Sequence, residues 1–177
     1  WWLLRWLGHP KVQVLNGGYA AWCEAKGPLT QTVADFQPQT LPERPALTRQ
    51  VAAGELNPIQ PHRKLIDVRD PVRFRGEQEP IDLVAGHIPN AHNLPFLENL
   101  SGDRFKSKTS LLTMFKQRGL QLQDDVVCYC GSGVTATQMI LALLEAGFNE
   151  PALYPGSWSE WITDPQNSVA RGDHGTK

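Results

Sequence analysis

Three cysteines are all that this 177-residue chain contains, an odd number that builds no disulfide framework. Such sparse thiol usage points to a reducing compartment, the cytoplasm. Metal-ligand spacing is missing too: one residue separates Cys128 from Cys130, and the five histidines are scattered. Neither sign of charge prevails. Seventeen Lys and Arg stand against 18 Asp and Glu, a formal net charge of −1, so no nucleic-acid or membrane partner is expected. The opening apolar stretch, Trp1 to Leu7, is broken by Arg5 and is too short to span a bilayer. No secretory signal is expected, because the opening Trp1-Trp2 lacks a basic region. What remains, 41% hydrophobic and 20% charged residues, is the composition of an ordinary globular protein.

Trp1, Trp2, Leu3, Leu4, Trp6 and Leu7 read as a helix without an N-cap, one that would expose a large apolar patch if left alone. The chain is therefore expected to begin inside a folded unit. An internal comparison points the same way. Aligning "LLRWLGHPKVQVLNGGYAAW" (3–22) with "ALLEAGFNEPALYPGSWSEW" (142–161) matches Leu4 with Leu143, Gly8 with Gly147, Val14 with Leu153, Gly17 with Gly156 and Trp22 with Trp161. Each copy reads as a helix end, a glycine stop, a short strand, a glycine turn and an aromatic helical start. This suggests a tandem duplication. Residues 1–30 are expected to be the end of a first, non-catalytic domain, 31–60 a proline-bearing extended linker, and 61–177 a complete second copy.

Within that copy, "KLIDV" (64–68) and "DVVCYC" (125–130) predict buried strands, and "GHIPNAHNLP" (86–95) predicts a turn leading to another. "SLLTMFKQRG" (110–119) and "TATQMILALLEAG" (135–147) have helical apolar spacing and stop at glycine. Alternating strands and helices predict an α/β protein with a parallel sheet and helices on both faces. Cys130 then ends a central strand, and Gly131, Ser132, Gly133, Val134 and Thr135 lead from it into a helix. Ligands of parallel sheets bind at that end of the strands. A glycine-bearing loop presents its N–H groups as an anion-binding nest, and the helix dipole adds positive potential. Such surroundings lower a cysteine pKa from about 8.5 to as little as about 3.5. The plainer alternative is a buried strand cysteine followed by an ordinary turn.

"CGSGVTA" after an apolar strand, together with "DVR" (67–69), "RFRGE" (73–77), "GHIPNAHNLP" and "YPGSWSEW" (154–161), resembles the rhodanese superfamily, and most closely its two-domain 3-mercaptopyruvate and thiosulfate sulfurtransferases. The resemblance covers about residues 60–170 as a rhodanese-like catalytic domain, and "GHPKVQVLNGGYAAW" matches the end of the other domain. It implies that Cys130 takes a sulfane sulfur from a small-molecule donor, becomes a persulfide cradled by residues 130–135, and passes the sulfur to cyanide, a thiol or a thioredoxin-like protein. No cofactor is implied. Arg73 matches the first of two arginines that hold the mercaptopyruvate carboxylate in this family. The following "EQEPIDLVAG" has no arginine where the second would stand. The family's cleft lies between two domains, so the rest of the first domain is an expected partner.

Other residues admit two readings each. Arg73 binds substrate anions or pairs with Asp67 or Glu77. Ser132 donates to the leaving group or is a small loop residue, and Thr135 caps the helix or bonds within the loop. Cys128, on the same strand face as Cys130, forms a regulatory disulfide or fills the core. His87 and His92 fix a turn by hydrogen bonds, Trp158 and Trp161 wall the pocket, and Cys23 is inert. A cysteine phosphatase would share the strand, loop and helix, but it needs an arginine to clamp phosphoryl oxygens. The sixth residue after Cys130 is Ala136, and the next arginine is Arg171. A non-catalytic rhodanese-like binding or regulatory module is the alternative of another class.

Overall fold

The computed structural model describes residues 1–57, 60 and 62–173. The chain divides into two compact units, Trp1–Thr48 with Gly102–Phe105, and Arg49–Ser101 with Lys106 onward. Among the described residues no helix is long and apolar enough to cross a membrane.

The larger unit is built on a five-stranded, all-parallel sheet: β1 (Arg49–Gln50), β2 (Arg63–Asp67), β3 (His92–Asn93), β4 (Asp125–Tyr129) and β5 (Ala152–Leu153), in the spatial order β1-β5-β4-β2-β3. Parallel neighbours need crossover connections, and these supply the helices. They are α3 (Pro71–Phe74), α4 (Lys108–Gln117), α5 (Ala136–Ala146) and α6 (Ser157–Trp161). The period of two sorts the strands' side chains between faces. Leu65, Val127, Tyr129, Ala152 and Tyr154 share one core cluster with Phe74, Trp158 and Trp161. Ile66, Val126, Cys128 and Leu153 are buried on the other face, where α5 packs on β4 and β5 and α4 packs on α5. Helices therefore cover both faces, as expected.

Each helix has a local cause. Pro71 opens α3, and the Asp70 carboxylate accepts the Val72 N–H. Ser107 caps α4 through the Ser110 N–H at 3.2 Å. In α5, Met139, Ile140, Ala142, Leu143 and Ala146 fall on one buried face, and Gly147 stops the helix at φ +93°. At the opposite end of the sheet, Asp125 takes Arg49 Nη2 at 2.8 Å and Arg63 Nε at 2.9 Å, tying β1 and β2 to β4.

The unit starts earlier than the reading of 31–60 as linker allows, since β1 lies inside that stretch and pairs with β5. Residues 27–46 do carry no regular element and are mostly exposed.

In the smaller unit, α1 (Trp2–Trp6) and α2 (Gly18–Glu24) are the helices. Leu47 and Arg5 are joined twice, by Leu47 N–H to Arg5 O at 3.0 Å and by Arg5 Nη2 to Leu47 O at 2.9 Å. Gly8 follows α1 at φ +76°, as Gly147 follows α5. The strand expected around Val14 does not form: residues 11–15 have no sheet partner among the described residues, and a strand is stable only when a neighbour takes its hydrogen bonds.

Candidate active site

Cys130 directly follows β4 and is 2% exposed. Its backbone is fixed from α6. The Cys130 N–H donates to Ser157 Oγ at 3.1 Å, and Ser157 Oγ donates to Tyr154 O at 2.9 Å. Trp158 N–H donates to Cys130 O at 3.0 Å, and Ser159 N–H to Gly131 O at 2.9 Å. Ser157 adopts φ +54°, an uncommon state for a side-chain-bearing residue, at the one place where its hydroxyl reaches the Cys130 backbone. In the sequence, Ser157 belongs to "YPGSWSEW", a motif that by itself gives the serine no role.

The loop itself spends none of its donors. Among the described residues, no protein acceptor takes the N–H of Gly131, Ser132, Gly133, Val134 or Thr135. Gly133 requires φ +77°, and a Cβ there would meet Pro155 O at 2.5 Å. Thr135 makes no side-chain cap bond. It stands at the N-cap position of α5 all the same, and the Thr137 hydroxyl donates to Val134 O at 2.7 Å.

A pocket of about 370 Å³ gathers Cys130, Gly131, Ser132, Val134 and Thr135 with Arg73, Asp82, Ser159 and their neighbours. Gly133 turns away behind the loop, toward Pro155. Trp158 and Trp161 do not line this space. They are core residues, with Arg69 lying 4.8 Å over the Trp158 ring. A larger cavity of about 620 Å³ lies within the smaller unit, around Trp6, Leu7 and residues 41–46, and holds no nucleophile.

Arg73 pairs with neither Asp67 nor Glu77. Its Nε and Nη2 grip Glu79, with Nη2 to Oε1 at 2.6 Å, and Nη2 also lies 3.3 Å from Asp82 Oδ2. Glu77 is taken by Arg75, and Asp67 by Arg69 at 2.7 Å in a fully buried pair. Nη1 and Nη2 lie 3.8 and 3.7 Å from where a side chain on Gly131 would begin, so the guanidinium stands beside the loop. Burial pushes the Glu79 carboxyl up, but Arg73 and the backbone N–H groups of Asp82 and Ile81 outweigh it and hold Glu79 below the usual carboxylate range. The segment lacking a second arginine thus supplies Arg73 with two carboxylates, Glu79 and Asp82.

Burial pushes the Cys128 thiol far above the usual range, with the neighbouring Cys130 adding to it, so Cys128 stays a neutral core residue. Cys23 is exposed, and all three thiols are free. His87 Nδ1 donates to Phe74 O at 2.7 Å, and its ring stacks on Phe74, while His92 is exposed on β3.

A parallel sheet with a cysteine after a central strand, then a glycine loop without arginine and a helix, fits a rhodanese-like domain. Residues 49–164 match the family "Rhodanese-like domain", and the chain belongs to it. Among curated relatives, a "Probable 3-mercaptopyruvate sulfurtransferase" of Pseudomonas aeruginosa is 47% identical over 98% of this chain. The "Thiosulfate sulfurtransferase" of Mus musculus is 33% identical over 99% of it. The chain spans 63% and 62% of these proteins' lengths. Among solved structures, an anaerobic ergothioneine biosynthesis enzyme from Chlorobium limicola superposes with a TM-score of 0.84 over 97% of this chain and 44% of its own, at 24% identity, a likeness of fold.

Proposed function

We propose that the chain carries the catalytic part of a sulfurtransferase that moves a sulfane sulfur from 3-mercaptopyruvate, through a persulfide on Cys130, to a thiol or cyanide acceptor. The observation that carries this is a cysteine followed by five consecutive backbone N–H groups that no acceptor among the described residues takes, with Arg73 alongside. The Cys130 thiolate attacks the donor sulfur, an S–S bond forms, and the C–S bond breaks. Its electron pair leaves on carbon as the pyruvate enolate, which takes up a proton. The acceptor then attacks the outer sulfur, and Cys130 departs as thiolate. The loop N–H groups would hold the anionic persulfide, and Arg73 Nη1 would bind the donor carboxylate.

Relatives named for 3-mercaptopyruvate and for thiosulfate both align along this chain, so thiosulfate is the second donor to consider. Gly131 and Ser132 offer dipoles without charge directly after the cysteine, which favours the singly charged donor. The paired glycine stops at Gly8 and Gly147 support residues 1–30 as the end of a preceding rhodanese-like domain. Free thiols support a cytoplasmic setting, where a small thiol or a thioredoxin-like protein would be the acceptor. Steady-state turnover of the full-length protein with both donors is the test. A higher kcat/KM is expected for 3-mercaptopyruvate, and equal or better turnover of thiosulfate overturns the assignment.

A further inference from the structure

Asp82 stands in the Cys130 pocket with its carboxylate shared between two partners. Oδ2 lies 3.3 Å from Arg73 Nη2, and Oδ1 accepts the Ser159 hydroxyl at 2.7 Å. Its side chain is 10% exposed. The two arginines of the lining are both matched: Arg73 by Glu79 and Asp82, Arg69 by Asp67 and Glu79. Asp70 adds a further carboxylate to the rim. The lining therefore carries two guanidinium groups and two carboxylates, Asp70 and Asp82, while Asp67 and Glu79 neutralise the arginines from behind. Asp82 is the member that both lines the pocket and touches the substrate-facing arginine.

We propose that Asp82 selects the sulfur donor by charge, admitting singly charged 3-mercaptopyruvate and disfavouring doubly charged thiosulfate, an inference that rests on the sulfurtransferase reading above. Coulomb repulsion scales with the charge of the entering group, so the fold-penalty on a dianion is the square of that on a monoanion. Removing the charge helps both donors and thiosulfate more. Asp82→Asn suits the test, because an amide oxygen still accepts from Arg73 or Ser159 while the charge is gone.

The test has two arms. In turnover, Asp82→Asn should shift the kcat/KM ratio of thiosulfate to 3-mercaptopyruvate about threefold or more toward thiosulfate. In alkylation of Cys130, followed by peptide mass spectrometry, it should raise the rate of anionic iodoacetate over neutral iodoacetamide about threefold or more. Asp82→Ala should do the same, and Asp82→Glu should restore the original ratios. A shift in alkylation without sulfur transfer from either donor would sink the sulfurtransferase reading while leaving the charge filter in place. Unchanged alkylation and donor ratios in folded Asp82→Asn and Asp82→Ala overturn the filter. Failure of both variants to fold overturns it too, since Asp82 is then an anchor for Arg73 and no more.

Discussion

Cys130 and Arg73 are legible in the sequence because each sits in a pattern with a mechanical reason: a strand end before a glycine loop, and the start of the "RFRGE" motif. Their partners are not. Glu79 and Asp82 stand six and nine residues after Arg73 in a stretch with no periodicity, and they meet its guanidinium only once that stretch folds back. Ser157 reaches Cys130 from another element, through a left-handed backbone that no propensity favours for serine. Under the proposed donor binding, this geometry suits arginine at position 73 and not lysine. Glu79 occupies Nε and Nη2, which leaves Nη1 for a donor carboxylate. A lysine ammonium has no second arm, and Glu79 and Asp82 would hold it. Arg73→Lys is therefore expected to lower kcat/KM for 3-mercaptopyruvate about tenfold or more, the worth of one charge-assisted hydrogen bond. Near-normal kinetics would remove Arg73 from donor binding.

At the scale of elements, the long apolar runs were readable: β2, β4, α4 and α5 fall within a residue or two of expectation. The two-residue strand β1 was not, because its residues are exposed and only pairing with β5 makes it a strand. The stretch 11–15 shows the converse, a strand-like sequence that stays irregular without a neighbour. The loop between β4 and α5 is held at Gly133 by close approach to Pro155. Gly133→Ala adds a left-handed alanine, at about 1–2 kcal/mol, and a backbone clash. The expected loss is about 2 kcal/mol or more in denaturant unfolding, with Cys130 alkylated at an altered rate. A variant as stable as the parent would mean that the loop has another conformation.

Over the whole molecule, buried ion pairs set the response to acid. Glu79 is held low against its ordinary 4.5, and Asp125 against its ordinary 3.8: burial raises both, and their arginine bonds prevail. His87 is held below its ordinary 6.5, chiefly by burial. In all three the unfolded chain binds protons first, so stability is present above those ordinary values and is lost as pH falls. Thermal unfolding should show a small loss starting below about pH 6.5 and a steeper one below about pH 4.5. A midpoint flat between pH 7 and pH 3 would contradict the pairing. The division into units at Thr48 and Arg49 could not be placed from composition, because the proline-bearing stretch runs into β1 without a break in pattern. The full-length protein, treated with 3-mercaptopyruvate without acceptor and digested under non-reducing conditions, is expected to carry one added sulfur on the peptide containing Cys130, lost on adding cyanide. Cys130→Ser should carry none, while Cys128→Ser and Cys23→Ser should carry it still. Persulfide formation surviving in Cys130→Ser would contradict the mechanism.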